Sequence, residues 1–361
     1  MVAMKKENLA VSLFLKRAGE LNLISPLVFG APVQDIPTLA EKLPGAHFMT
    51  DNVLERSHIT AQNISVELIN PLTKTPEHIV KTILVFIPKS KALINSTLEL
   101  AARYGKAGTP FILVGEKAAG IESAKFAYER YVGVIEEKLV GNHSALYRGT
   151  ISNEIRKATQ TEPFIEHTVE SNGVTIKTAA LAGVFNHGAL DDGTTLLLNT
   201  IPFDKKIVLD MACGSGVIGT IYKTKNPEAE VDFSDASIYA TLSATETLKR
   251  NSLIGNVYLS DVFSELPKKE YDLIVLNPPF HIGIDTDYSF IEKFSRGVGA
   301  YMKPKAEIYT VANKFLKYKP LLEEHVGPTE IAFEDRRYTV YKTMKQTGRK
   351  RRVADSPEES F

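Results

Sequence analysis

A single cysteine, Cys213, in 361 residues excludes an internal disulfide and any cysteine-based zinc site. No stretch approaches the eighteen or so consecutive apolar residues of a membrane span, and no metal or membrane partner is expected. Neither sign of charge prevails, because 43 lysines and arginines face 43 aspartates and glutamates. Zero formal charge provides no global field for a polyanion, so a nucleic-acid partner would have to be met by a local basic patch. The opening residues, Met1-Val-Ala-Met-Lys-Lys-Glu-Asn8, lack the apolar core of a signal peptide, and the chain is expected to stay in the cytoplasm. With 43% apolar and 24% charged residues it reads as an ordinary soluble globular protein, long enough for two domains.

The most informative stretch is Tyr271-Asp-Leu-Ile-Val-Leu-Asn-Pro-Pro-Phe280. Its apolar block, Leu273 to Leu276, suits a strand buried on both faces of a parallel sheet. Pro278 and Pro279 then forbid ladder pairing and helix alike, leaving a rigid corner at the carboxyl end of the strand, where open α/β sheets place ligands. Asn277 offers a neutral amide oxygen and Pro278 a carbonyl of fixed direction. Two such acceptors suit the two hydrogens of an exocyclic amino group, and Phe280 offers a face on which a base can stack. Taken alone, Asn-Pro-Pro reads equally well as a turn.

The two halves of the chain resemble each other. Ile83-Leu-Val-Phe-Ile-Pro-Lys-Ser90 aligns with Leu273 to Phe280, and each is followed by a helical stretch and a further strand, Phe111–Gly115 or Ile308–Ala312. Each half then closes on a Tyr-basic pair, Tyr147-Arg148 aligning with Tyr341-Lys342. The first copy has Ile87 in place of Asn277 and Lys89-Ser90 in place of Pro279-Phe280, so it lacks the amide acceptor and the aromatic face. Its helix after Pro88 places Ile94, Leu98 and Ala101 on one side, and Lys89, Lys91 and Arg103 are its candidates for steering RNA, the alternative being a half that only supports its neighbour's folding. We divide the chain into residues 1–155, a frame without chemistry; 156–345, which carries the candidate site; and 346–361, a charged tail with the basic run Gly348-Arg-Lys-Arg-Arg-Val353.

Between the halves, Asn172-Gly173 centres a hairpin. A glycine-punctuated loop, Ala182 to Gly193, then leads into an apolar helix capped by Asp191 or Thr194. The second informative stretch is Lys206-Ile-Val-Leu-Asp-Met-Ala-Cys-Gly-Ser-Gly-Val-Ile-Gly219. A buried strand closes on Asp210, and Gly214 and Gly216 allow a tight turn before a helix. Gly214-Ser-Gly216-Val-Ile-Gly219 matches a dinucleotide fingerprint literally. The acid ahead of the turn and the Asn-Pro-Pro-Phe downstream argue against a pyrophosphate. A carboxylate at position 210 could instead bind, directly or through water, the charged amino-acid portion of S-adenosylmethionine. Asp235 and Asp261 end the next two strands, the first where doubly wound folds accept ribose hydroxyls and the second placed to meet an adenine amine.

With Asp-x-x-Cys-Gly-Ser-Gly and Asn-Pro-Pro-Phe-His in hand, the chain resembles the class I S-adenosylmethionine-dependent methyltransferases. It is most similar to the ribosomal RNA guanine-N2 enzymes of the small subunit (16S), which have tandem methyltransferase-like domains. That resemblance covers nearly the whole chain. It implies an α/β fold of two tandem Rossmann-like domains, each with a mostly parallel twisted sheet of seven strands flanked by helices, the last strand antiparallel. The first domain is implied to bind no cofactor. The resemblance also implies S-adenosylmethionine as cofactor, held by Asp210, Ala212, Cys213, Gly214 and Gly216, by Asp235 at the ribose, and by Asp261, Val262 and Asn277 around the rest. Asn277, Pro278 and Phe280 are the implied catalytic residues, and ribosomal RNA, in the small subunit or its assembly intermediate, the implied partner. The chain departs from the family pattern at Ala212, where glycine is usual, at Asp261, where asparagine is common, and at Ile282 after His281, where an acid is common.

The implied reaction is direct transfer of a methyl group to the N2 amine of a guanine, which must be unpaired or flipped to reach such a corner. Cys213 is read as a small buried residue and not a nucleophile. Methylation of adenine N6, of release-factor glutamine or of a large-subunit guanine remain alternatives, as does a non-catalytic RNA-binding scaffold.

Overall fold

The structure is a computed structural model that describes residues 8–73, 76, 79–88, 90–153, 162–278 and 284–346. In the first half the chain runs α1 (Leu9–Arg17), β1 (Leu27–Phe29), α2 (Ile36–Lys42), β2 (His47–Thr50), α3 (Val53–Thr60), β3 (Val66–Leu68), β4 (Ile83–Phe86), α4 (Lys91–Arg103), β5 (Pro110–Glu116), α5 (Ile121–Tyr131), β6 (Ile135–Gly141) and β7 (Ser144–Thr150). A hairpin follows, β8 (Phe164–Ser171) and β9 (Val174–Leu181). The second half runs α6 (Asp192–Thr200), β10 (Ile207–Met211), α7 (Val217–Lys225), β11 (Glu230–Asp235), α8 (Ile238–Arg250), β12 (Asn256–Leu259), β13 (Tyr271–Leu276), α9 (Ile284–Val298), β14 (Met302–Asn313), α10 (Lys319–His325), β15 (Thr329–Glu334) and β16 (Tyr338–Met344).

The repeat seen in the sequence is real at the level of topology. One seven-stranded sheet has the order β3-β2-β1-β4-β5-β7-β6 and the other β12-β11-β10-β13-β14-β16-β15. In each, only the strand formed last, β7 or β16, runs antiparallel to its neighbours. The central strands of each sheet are buried on both faces, which explains the uninterrupted apolar block Leu273–Leu276. The expected alignment of Tyr147-Arg148 with Tyr341-Lys342 agrees with the register, and it is the alignment of Ile83–Ser90 with Leu273–Phe280 that needs correction by one residue. Tyr147 pairs with Leu113 and Leu113 with Val85, whereas Tyr341 pairs with Thr310 and Thr310 with Leu276, so Val85 stands in the place of Leu276 and Phe86, not Ile87, in that of Asn277.

The hairpin turns at Asn172 and Gly173, which have φ of 53° and 77°, the left-handed pair that a two-residue turn requires. The open edge of β9 is satisfied by a helix. The N–H groups of Lys177, Ala179 and Leu181 donate to Asn251 Oδ1 (2.9 Å), Thr247 Oγ1 (2.9 Å) and Ser243 Oγ (3.0 Å) of α8 and its C-terminal cap. Two residues along a strand and four along a helix advance nearly the same distance, roughly 6–7 Å, so the two periodicities stay in step. The other end of α8 reaches the first half, where Tyr239 is buried in the core built on β1, β4 and β5, with Ile238 and Leu242 packed against it. No helix among the described residues is long and apolar enough to cross a membrane.

Candidate active site at the carboxyl ends of β10, β11 and β13

Met211, the last residue of β10, pairs with Ser234 of β11 on one side and Leu276 of β13 on the other. The next residues along, Ala212, Asp235 and Asn277, therefore emerge in one row at the edge of the sheet. The sequence placed all three in the site, and the structure brings them together.

After Met211 the chain turns left-handed three times, at Ala212 (φ 54°), Gly214 (φ 55°) and Gly216 (φ 77°), before α7 begins. The three glycines of the fingerprint have separate tasks. A Cβ on Gly214 would meet nothing within 4 Å, so its backbone borders open space that a ligand can approach. On Gly216 a Cβ would come 3.1 Å from Cβ of Ala244, and on Gly219 it would lie 2.3 Å from the Phe233 ring, which sets how closely α7 packs on the sheet.

At Ala212 the left-handed backbone explains why glycine is usual in the family. A Cβ there costs roughly 1–2 kcal/mol. Ala212→Gly should relieve part of it and raise stability by about 1 kcal/mol in urea unfolding, with the larger freedom of glycine in the unfolded chain offsetting the remainder.

Asp210 does not close the strand as the sequence suggested. It is the penultimate residue of β10 and fully buried. Its Oδ2 accepts from Gly219 N at 2.8 Å, tying the strand to the first turn of α7. Its Oδ1 is buried with no hydrogen-bond partner among the described residues. Burial, and secondarily the charge of Asp235, push its pKa up to about 8.

Asp235 accepts from Gly214 N (2.9 Å) through Oδ2 and from Ser237 N (2.9 Å) through Oδ1. One lone pair on each oxygen is thereby used to hold the glycine turn against β11, and one remains for a ligand. Burial raises its pKa as well. Cys213 is buried, and desolvation together with the two neighbouring aspartates pushes its thiol well above the ordinary range. It holds no thiolate near neutral pH, which fits the reading of a packing residue.

Asp261 lies outside the row. It stands beyond the end of β12, and its Oδ2 forms an ion pair with Lys293 of α9. No local pattern in the sequence announces that partner. Val262, next to it, is buried with φ 54°, a conformation that a β-branched residue rarely adopts. Such strain is held in place only where the surroundings demand it, and Val262 packs in the buried cluster that contains Met211 and Leu276.

Asn277 carries the most specific geometry. Its Nδ2 donates to Oγ1 of Thr194 at 2.9 Å, and the Thr194 hydroxyl in turn donates to Oδ2 of Asp191. Because that hydroxyl proton is committed to a carboxylate, Thr194 can only accept from Asn277. The amide is thus fixed with its nitrogen toward Thr194 and its oxygen away. Oδ1 is buried and has no hydrogen-bond partner among the described residues. Asp191 also caps α6, accepting from Gly193 N (2.9 Å) and Thr194 N (3.1 Å), so the capping residue anticipated from sequence doubles as the anchor of this relay.

Pro278 is buried beside Asn277. Pro279, Phe280, His281 and Ile282 lie outside the described residues, as do Lys89 and the basic run 348–353. Of the remaining basic candidates in the first half, Lys91 is exposed. Arg103 is engaged by Glu99 at 2.6 Å and the Thr73 carbonyl at 2.9 Å and offers no free guanidinium for RNA.

Comparison with known proteins adds to this geometry. Residues 175–342 match the model of the methyltransferase small domain and residues 12–167 that of the methyltransferase small domain N-terminal. The chain is 34% identical over 321 residues to the ribosomal RNA small subunit methyltransferase C of Aliivibrio fischeri strain ES114, covering 88% of this chain and 94% of the relative. To the protein of the same name from A. fischeri strain MJ11 it is 37% identical over 264 residues, covering 73% and 77%. Among solved structures, a T. thermophilus 16S rRNA N2 methyltransferase in complex with AdoMet and guanosine superposes with a TM-score of 0.77 at 23% identity, over 96% of this chain and 94% of that one.

Proposed function

Since the chain belongs to the ribosomal RNA small subunit methyltransferase C family, we propose that it transfers a methyl group from S-adenosylmethionine to the exocyclic N2 of a guanine in 16S ribosomal RNA. The observation that carries this reading is the fixed Asn277 amide. Its oxygen is buried and uncommitted, one row from a glycine turn that borders open space.

The residues fit the cofactor. Asp210 holds an orphaned carboxylate oxygen suited to a cationic ammonium, Asp235 retains lone pairs for two ribose hydroxyls, and Gly214 leaves room for close approach. Val262, with Asp261 beside it, borders the adenine. When bound, S-adenosylmethionine supplies a methyl group on a sulfonium, an electrophile that needs no further activation.

The protein's own task is therefore alignment and charge stabilisation. Asn277 Oδ1 and the Pro278 carbonyl accept the two hydrogens of the guanine amine. That favours a pyramidal nitrogen, turns its lone pair toward the methyl carbon and stabilises the positive charge that develops there. The extra proton becomes acidic only after transfer, so a neutral acceptor suffices and no base need act beforehand. Phe280 stacks the flipped base.

The first half keeps the frame without the chemistry. By strand register Val28 stands where Asp210 does and Phe86 where Asn277 does. The next residue, Ile87, fills a notch of its own, since a Cβ on Gly115 would come 2.0 Å from Ile87 Cγ2. We place the reaction in the cytoplasm, on the small subunit or a precursor of it, and assign it no metal.

The direct test supplies the protein with labelled S-adenosylmethionine and small subunits from cells lacking the modification, then digests the RNA to nucleosides. N2-methylguanosine is the expected product. Label in N6-methyladenosine, or none in RNA, would overturn the assignment.

A further inference from the structure

The two sheets meet at equivalent points. In the first, Met49 of β2 pairs with Phe29, and in the second Ser234 of β11 pairs with Met211, its positional counterpart. The next residues, Thr50 and Asp235, end their strands, and Asn52 and Ser237 cap the helices that follow, α3 and α8. Asp51 thus lies between strand end and cap, one residue beyond the counterpart of the ribose-side acid.

The loops that follow these strand ends are joined to each other. Val53 N donates to the Ala236 carbonyl (3.0 Å) and Ile238 N to the Asp51 carbonyl (2.8 Å), around an antiparallel bridge between Asn52 and Ser237. At the centre, the Ser237 hydroxyl donates to Asp51 Oδ2 at 3.0 Å. The same hydroxyl accepts from Tyr239 N at 3.2 Å to cap α8, and the Ser237 N–H donates to Asp235 Oδ1. A continuous chain of hydrogen bonds therefore runs from Asp51 through Ser237 to Asp235 and on to Gly214 N. Tyr239, buried in the core of the first half, locks the helix that follows.

We propose that Asp51 is a positioning residue for the cofactor site: the silent half supplies a loop acid that fixes Ser237, and through it the Asp235 carboxylate, in the orientation that receives the ribose. Asp51 touches neither cofactor nor base. Its charge stays paired with a hydroxyl and its carbonyl with α8, so the second half of the chain holds its cofactor-binding loop in shape only while the first half is docked. The inference rests on the cofactor site proposed above.

The test uses the full chain with Asp51→Ala, Asp51→Asn and Ser237→Ala, measuring S-adenosylmethionine Kd by calorimetry, KM and kcat with small subunits, and Tm. Asp51→Ala should raise Kd and the cofactor KM about tenfold, with kcat within about twofold, the scale of one lost hydrogen bond in a buried network. Asp51→Asn keeps an oxygen that accepts from Ser237 and should return both constants to within about threefold of the parent. Ser237→Ala should follow Asp51→Ala, and it carries the test should Asp51→Ala fail to fold.

A parent-like cofactor Kd in folded Asp51→Ala or Ser237→Ala would overturn the proposal. So would Asn and Ala variants that are equally weak, or a fall in kcat with KM unchanged. If the parent protein itself binds no S-adenosylmethionine, the cofactor reading fails instead, a result that differs from a parent that binds while the variants bind equally well.

Discussion

Asn277→Ala should lower kcat for methyl transfer by roughly a hundred- to a thousand-fold, the range seen when a transition-state partner is removed from a preorganised site. S-adenosylmethionine affinity should stay within about threefold. The split follows from where the amide points. Its nitrogen is spoken for by Thr194, so its oxygen, buried and without a partner among the described residues, is the atom left for the substrate amine. Alanine removes that acceptor but leaves Asp210, Gly214 and Asp235 intact. Thr194→Val makes the same point from the other side. Without the hydroxyl, nothing dictates which way the Asn277 amide faces, and kcat should drop about tenfold as misoriented rotamers compete. Single-turnover rates with saturating cofactor check both. A wild-type rate in Asn277→Ala would remove the residue from the mechanism.

Asp210→Asn is expected to separate stability from cofactor binding in opposite directions. The Asp210 carboxyl has a pKa raised to about 8 in the folded chain, against 3.8 as its ordinary value, chiefly because it is buried. A raised carboxyl binds a proton in the folded state that the unfolded state has already lost. Its contribution to stability is therefore complete at pH below about 4, declines as pH rises through the interval between the two values, and is gone above about 8. Asparagine is nearly isosteric and always neutral, and its oxygen can still accept from Gly219 N. The variant should match the parent in Tm near pH 4 and exceed it by a margin that grows as pH rises to about 8 and holds at pH 9. Its affinity for S-adenosylmethionine should fall by tenfold or more, because the ammonium loses its charged partner, a contact of roughly 1.5–3 kcal/mol. The parent should also release a proton on binding the cofactor near pH 7, detectable as a buffer-dependent enthalpy. Lower Tm at pH 9 with unchanged affinity would contradict this assignment.

The parts of the site that were legible in the sequence are those written in local pattern. A continuous apolar block ending in two prolines marks β13 and its corner, and glycines at fixed spacing after a short strand mark the turn into α7. A repeated order of such blocks marks the duplicated sheet, because the central strands of each copy are buried on both faces and so carry the same signal twice. What escaped was tertiary. Thr194 was read as a candidate cap for α6, and Asp191 does cap it. The bond from Asn277 to Thr194 joins residues on elements far apart in the chain, and no local pattern announces it. Asp261 looked like a free strand-end acid because its partner Lys293 lies on α9, beyond the next strand. Asp210 was expected at the strand end because an acid after apolar residues usually stops burial; here the Gly219 amide supports one oxygen inside the core and the stop comes later. Asp51 was not singled out at all. Its bond from Ser237 joins the two halves of the chain, and no local pattern announces it.

The central claim is that the corner at the end of β13 grips a guanine amine beside the glycine turn. A crystal structure with S-adenosylhomocysteine and guanosine bound tests it most directly. The account predicts the guanine N2 within about 3 Å of both Asn277 Oδ1 and the Pro278 carbonyl, with the sulfur on the Gly214 side of that nitrogen. A base seated elsewhere, or an Asn277 oxygen turned onto Thr194, would contradict it.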